Sequence, residues 1–178
     1  LSQIDQGLSK FLYLGNIDAV RDWGHAKDYV EIQWKILQQE KPDDFVVATG
    51  RQKSVRIFIE LAAKKLGWGG IKWEGEGIKE IGRRIDTNEV VIKIDKKYFR
   101  PCEVNSLIGD ATKANKVLGW QPKISLENLV ADMINHDLAL AKKDNLLKNK
   151  GYELSFPRDS NKVIAKLIFY LKFPPNCQ

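Results

Sequence analysis

Two arginines stand in settings unlike the rest of the chain. Arg21 lies in RDWGHAKDYVEIQW, in a Gly/Asp-rich turn just before an amphipathic helix. Arg100 lies in YFRPCEV, beside two aromatics and a proline, with Glu103 three residues on. The guanidinium fork and its permanent charge match phosphate oxygens. Each charge-assisted bond contributes about 1.5–3 kcal/mol net. Glu103 is an acceptor suited to a vicinal ribose diol. Two separated arginines and one carboxylate are what a diphosphate with a neighbouring ribose requires. The competing readings are a salt bridge of Arg21 with Asp22 or Asp28, and stacking of Arg100 on Tyr98 or Trp120. Spacing alone leaves both pairs of readings open.

Other polar and aromatic residues read more plainly. His25 precedes a helix, where a histidine is expected to cap or pack, a general-base role being the alternative. Asp28 falls in that helix's first turn and suits the N-terminal dipole. His136 is expected to face solvent, and Arg83 and Arg84 to be solvated in a flexible-looking segment. Trp68 and Trp73, next to glycines, read as core rather than as stacking platforms. The glycines at 67, 69, 70, 75, 77 and 82 never form a dinucleotide fingerprint between a strand and a helix. No tyrosine is followed four residues later by lysine, the pairing that lowers a tyrosine's pKa for proton abstraction. GxSxG and HExxH are also absent. No catalytic, cofactor-binding or metal-ligating residue is therefore assigned within the chain.

The elements that must position these residues alternate between strand and helix. FLYLG (11–15) reads as a short strand running into a polar turn at Asn16–Asp18. A helix starts near Ala26, with Val30, Trp34 and Leu37 as its apolar face. DFVVATG (43–50) suits a buried parallel strand. Ser54 caps a helix whose buried positions are Val55, Phe58, Ile59, Ala62, Ala63 and Leu66, ended by Gly67. Short strands follow at 71–73 and 90–94. A helix at 112–118 ends at Gly119, and Ser125 caps a long helix with a stripe of Leu126, Leu129, Val130, Met133 and Ile134. The pattern is α/β.

The bulk numbers exclude several function classes. The chain has 178 residues, 43% hydrophobic, and five tryptophans, enough for a packed core. Net charge is +6, with 29 Lys+Arg against 23 Asp+Glu, but the signs are interspersed. Half the excess sits in residues 154–178, where Arg158, Lys162, Lys166 and Lys172 stand against Asp159. A basic tail on a balanced body argues against a nucleic-acid partner. Cys102 and Cys177 form no metal or redox spacing, so a reduced, cytoplasmic chain is expected. No apolar run reaches membrane-spanning length and no signal sequence opens the chain, so no membrane partner is expected. The only methionine is Met133 and the first residue is Leu1, so the natural N-terminus is expected to be missing or processed.

LGNIDAVRDWGHAKDYVEIQW, then DFVVATG with SVR soon after, then YFRPCEVNSLIGDATKANKVLGWQP, resembles the C-terminal half of the GDP-mannose 4,6-dehydratases. These belong to the extended short-chain dehydrogenase/reductase superfamily. The resemblance covers residues 1–153. Arg-Asp-x-x-His recurs across the superfamily, whereas RDWGHAKDYV with RPxEVxxLxGDxxKA is much narrower. The resemblance implies the C-terminal part of an NAD(P)-binding Rossmann-type fold plus its smaller α/β substrate-binding domain. Residues 1–66 would carry late Rossmann elements and the start of the substrate region. Residues 67–150 would form the GDP-sugar domain, and 151–178 a divergent tail. It further implies that Arg21 and Arg100 hold the GDP diphosphate and Glu103 the ribose. The Gly15–Asn16 turn would run close to the nucleotide.

The reaction so implied oxidises mannose C4 with NADP as cofactor, loses water across C5–C6 and returns the hydride to C6. The product, GDP-4-dehydro-6-deoxy-D-mannose, lies on the route to GDP-fucose and related deoxysugars. The family's fingerprint glycines and catalytic Tyr-x-x-x-Lys match nothing in this chain. It is therefore expected to be inactive on GDP-mannose by itself, and the full-length family is expected to be homo-oligomeric. Three alternatives stand beside this reading: a non-catalytic GDP-sugar-binding fragment, a related nucleotide-sugar epimerase or reductase, and a truncated product that never folds stably.

Overall fold

The computed structural model describes residues 1–99 and 108–152. In chain order the elements are α1 (Ser2–Asp5), β1 (Leu12–Leu14), β2 (Val20–Asp22), α2 (Ala26–Leu37), β3 (Gln52–Ser54), α3 (Val55–Lys65), β4 (Ile71–Glu74), β5 (Ile81–Arg84), β6 (Val90–Ile94), α4 (Thr112–Leu118) and α5 (Leu126–Asn149). Short 3-10 turns at Gly77–Lys79 and Lys96–Tyr98 link them.

A four-stranded sheet runs in the order β1-β6-β5-β4. β1 lies parallel to β6, with Leu12 opposite Ile92 and Leu14 opposite Ile94. The other two pairings are antiparallel, with an irregularity at Gly82/Arg83. Gly82 is crowded: a β-carbon there would lie 3.0 Å from Ile71 and Trp73 and 3.1 Å from Ile92. The sheet packs on α3 through Ile17, Ile59, Ala63, Trp68, Ile71, Val91 and Ile92. α5 covers α3's other side through Ala62, Val130 and Ile134. A separate cluster of Ile32, Ala114, Leu118 and Trp120 joins α2 to α4.

Local signals in the sequence place most of these elements. The Ser54 hydroxyl accepts from the Ile57 amide at 3.3 Å, and Ser125 does the same for Asn128 at 3.3 Å. Gly119 takes the left-handed conformation, φ 59°, that stops α4. His136 faces solvent and Trp68 is fully buried, as expected.

Four expectations are corrected. Val30, Trp34 and Leu37 do not form the buried face of α2; they are 62%, 62% and 80% exposed. Ile32 is the buried residue instead, with Tyr29 and Ile36 packed beside it. Two apolar faces compete on that helix, and Trp120 with α4 covers the other one. Residues 43–50 form no strand, because no described strand runs beside them. Phe45 and Val47 still pack against the α2–α4 cluster while Val46 is exposed. Arg83 and Arg84 are not loosely solvated: they lie in β5, an interior strand of the sheet. Arg83 Nε bonds Glu74 at 2.8 Å, and Arg84 pairs with Asp86 and stacks on the Trp68 ring at 4.3 Å. Finally, Met133 is largely exposed on α5, whose buried positions include Ala141 further along.

Candidate functional site

Parallel pairing of β1 with β6 brings the Gly15 turn and Tyr98 together. Both strands run out at the same edge. Beyond β1 the chain enters the Gly15–Asn16 turn, and beyond β6 it reaches Tyr98. Asp95 N–H donates to the Leu14 carbonyl at 2.8 Å, carrying the alignment past the strands. Gly15 then lies against the Tyr98 main chain so closely that a β-carbon would collide with the Tyr98 carbonyl. Only glycine fits at this crossing. Tyr98 stands two residues ahead of Arg100; Arg100 and Glu103 themselves lie outside the described residues.

The turn after Gly15 is held on every side. The Asn16 side chain accepts from Asp18 N–H at 3.0 Å. Val55 and Arg56 at the start of α3 donate their amides to the Ala19 and Ile17 carbonyls, at 3.2 and 2.8 Å. The Arg56 guanidinium reaches Asp18 at 2.8 and 3.0 Å and Glu80 at 2.6 and 3.1 Å, and stacks over Trp73 at 4.7 Å. Hydrogen bonds from Arg56 hold the Asp18 carboxyl below the usual carboxylate range. Asp18 and Glu80 in turn raise the already high pKa of Arg56. Sequence reasoning passed over Arg56 as a site residue, because its partners Asp18 and Glu80 lie 38 and 24 residues away.

Each residue of Arg21–His25 has a distinct structural task. Arg21 is half-buried in β2, and its Nη1 donates to the Val20 carbonyl at 2.7 Å. Asp22 accepts from the Thr49 amide at 3.0 Å, the Thr49 hydroxyl at 2.7 Å and the Gly50 amide at 2.9 Å. Trp23 stacks on Phe58 with ring centres 4.7 Å apart and donates to the Lys53 carbonyl at 2.9 Å. Gly24 leaves no room for a β-carbon against the Tyr29 ring. His25 Nδ1 accepts from the Lys27 amide at 3.0 Å, capping α2. With Nδ1 accepting, Nε2 carries the proton and donates to Asp132 of α5 at 3.1 Å. The expected capping role is therefore the one observed. The His25 bond, with Lys27 nearby, holds the exposed Asp132 carboxyl below its ordinary range.

Asp28 does more than sit in the first turn of α2. Its buried carboxylate accepts from the Lys123 and Ile124 amides at 3.2 and 3.0 Å. Its carbonyl accepts from the Trp120 indole at 3.0 Å. The helix carrying the RDWGH turn is thereby fastened to the approach of α5.

The geometry offers a backbone turn at the end of a parallel strand pair, leading into a short ribbon that bears Arg21. Its match to known proteins is specific. The model of the family described as GDP-mannose 4,6 dehydratase matches residues 1–133. This chain belongs to the GDP-mannose 4,6-dehydratase family. It is 48% identical over 164 residues to the GDP-mannose 4,6-dehydratase of Vibrio cholerae, covering 86% of this chain and 44% of the relative. It is 52% identical over 136 residues to that of Dictyostelium discoideum, covering 76% and 38%. The chain therefore spans less than half the length of these relatives. Among solved structures it resembles RMD from Pseudomonas aeruginosa, solved with NADPH, at 20% identity and a TM-score of 0.60, covering 78% of this chain and 40% of that one. That likeness shows the fold alone, a mixed α/β arrangement whose sheet has parallel and antiparallel pairs.

Among the described residues no helix is long and apolar enough to cross a membrane, and no three His, Cys, Asp or Glu side chains gather to hold a metal. The Thr49 and Gly50 amides are taken by Asp22, so this glycine turn does not fit a phosphate of NADP. No chemical step through that cofactor is assigned to the described residues.

Proposed function

We propose that this chain is the GDP-sugar-holding part of a GDP-mannose 4,6-dehydratase, a lyase, acting within a larger enzyme. Residues 1–66 supply late elements of the cofactor domain and the start of the substrate region, and 67–150 the GDP-sugar domain. Arg21 and Arg100 bind the diphosphate, Glu103 the ribose, and the Gly15–Asn16 backbone runs beside the nucleotide. The observation that carries this reading is the meeting of Gly15 with Tyr98, two residues before Arg100 in the chain, next to the turn that leads to Arg21. Held there, the GDP end is immobilised by charge-assisted bonds while the hexose stays free to react. In the complete enzyme NADP supplies the hydride chemistry, bound by elements that the described residues do not include. Cytoplasmic location and homo-oligomerisation of the whole enzyme belong to the same proposal.

Calorimetry of the chain with GDP tests the binding role. Arg100→Ala should abolish measurable binding, whereas Lys72→Ala, which removes only a surface pair with Glu74, should not. Equal losses in both variants would sink the site assignment. A turnover assay tests the second half: formation of the 4-keto sugar by this chain with NADP alone would overturn the claim that it is catalytically incomplete.

A further inference from the structure

Helix α2 is apolar on two opposite sides. Ile32, with Tyr29 and Ile36, packs towards α4 and Trp120. Val30, Trp34 and Leu37 fall on the far side at helical spacing and stay exposed, rimmed by the exposed Lys27, Gln33 and Gln38. A helix with one apolar face lies on a surface; one with two lies between packed layers. The segment after α2 has the same unfinished character. Phe45 and Val47 pack against the α2–α4 cluster while Val46 is 54% exposed, the alternation of a strand. Gly109 approaches Ala48 and Val46 without covering the latter. Among the described residues, no main-chain amide or carbonyl of Phe45, Val46, Val47 or Ala48 enters a hydrogen bond. Four consecutive residues with unpaired main chain are a template for strand addition.

We propose that the outer stripe of α2 and the main chain of residues 45–48 dock on a β-sheet supplied by the rest of the dehydratase polypeptide. The inference rests on the reading of this chain as one part of a larger enzyme. The chain accounts for 44% of the Vibrio cholerae relative and 38% of the Dictyostelium discoideum one, so more than half of such an enzyme is available as the partner. A second copy of this chain fits less well. A twofold axis would pair residues 45–48 with themselves, antiparallel and on one edge only. The run Phe45–Ala48 is apolar at every position, the pattern of a strand covered on both faces inside a sheet.

The test expresses the 178-residue chain together with the portion of the Vibrio cholerae relative that it does not match. The two should co-purify as a one-to-one complex. Trp34→Lys should weaken their association by about tenfold or more, the scale of losing one buried aromatic anchor, without lowering the melting temperature of the chain alone. Trp34→Phe should retain most of the association. Val46→Pro, which deletes one unpaired amide, should weaken it too, and Val46→Ala much less. Val117→Lys, at an exposed apolar position on α4 outside this surface, should leave it unchanged. Failure of the wild-type chain to associate overturns the proposal, as does indifference to Trp34→Lys or an equal loss in Val117→Lys. Light scattering of the chain alone covers the other occupant: a dimer that Trp34→Lys dissolves means a second copy, and overturns it. Calorimetry with GDP separates the two readings. GDP binding without association overturns the docking surface and leaves the GDP-holding role standing; association without GDP binding does the reverse.

Discussion

Gly15 lies against the Tyr98 carbonyl with no space for a side chain between them. Their contact extends the β1–β6 pairing beyond the strands and joins segments 83 residues apart in the chain. Gly15→Ala should therefore destabilise the chain by about 1–3 kcal/mol, the cost of forcing an overpacked site to shift. It should also weaken GDP binding. Denaturant titration beside calorimetry checks both; an unperturbed variant would show that the crossing has room for a side chain.

Asp22 is the clamp that ties β2 to Thr49 and Gly50. Asn at this position keeps one acceptor but turns an amide N–H towards a main-chain N–H. Asp22→Asn should cost about 1–3 kcal/mol, the penalty for leaving such donors unsatisfied. Asp22→Glu, with acceptors intact but displaced, should recover less than the full stability. Thermal melts of the two variants distinguish loss of acceptors from loss of length.

The two faces of α2 predict opposite outcomes. Ile32 is fully buried, so Ile32→Ala should cost about 2–5 kcal/mol. Leu37 is 80% exposed, so Leu37→Ala should change stability by no more than about 0.5 kcal/mol. A reversed order in denaturant midpoints would put the helix the other way round.

Acid should loosen the turn at 16–19 and the link between α2 and α5. Asp18 is held below its ordinary pKa by Arg56, and Asp132 by His25 and Lys27. A carboxylate depressed in the folded state contributes stability that is complete above its unfolded pKa, about 3.9 for Asp. That contribution is lost as pH falls through the lower folded value. Stability should therefore drop more steeply below about pH 4 in the wild type than in a variant carrying Asp18→Asn and Asp132→Asn. Melting temperatures across the acid range measure the difference in slope.

Local chemistry made much of the fold legible. Ser54 and Ser125 announce helix starts because a hydroxyl satisfies an orphan amide wherever it falls, and Gly119 announces a stop because it alone enters the left-handed region freely. Residue type likewise picked out His25 as a cap, whereas the turn expected at Arg21 is strand β2, paired with the distant segment Gln52–Ser54. Arg56 escaped notice because ion pairs with Asp18 and Glu80 leave no periodic trace in the chain. β5 was hidden by its arginines, which satisfy their charge on Glu74, Asp86 and the Trp68 face instead of in water.

The sequence by itself determined the family and the starts of α2, α3, α4 and α5. These depend on contacts within a turn or two and on motif identity. Only the tertiary structure decided which face of α2 is buried, that 43–50 has no strand beside it, and that Lys53 stands opposite Arg21. Each of those outcomes depends on which distant segment packs alongside, a choice governed by shape and charge across space rather than by spacing along the chain.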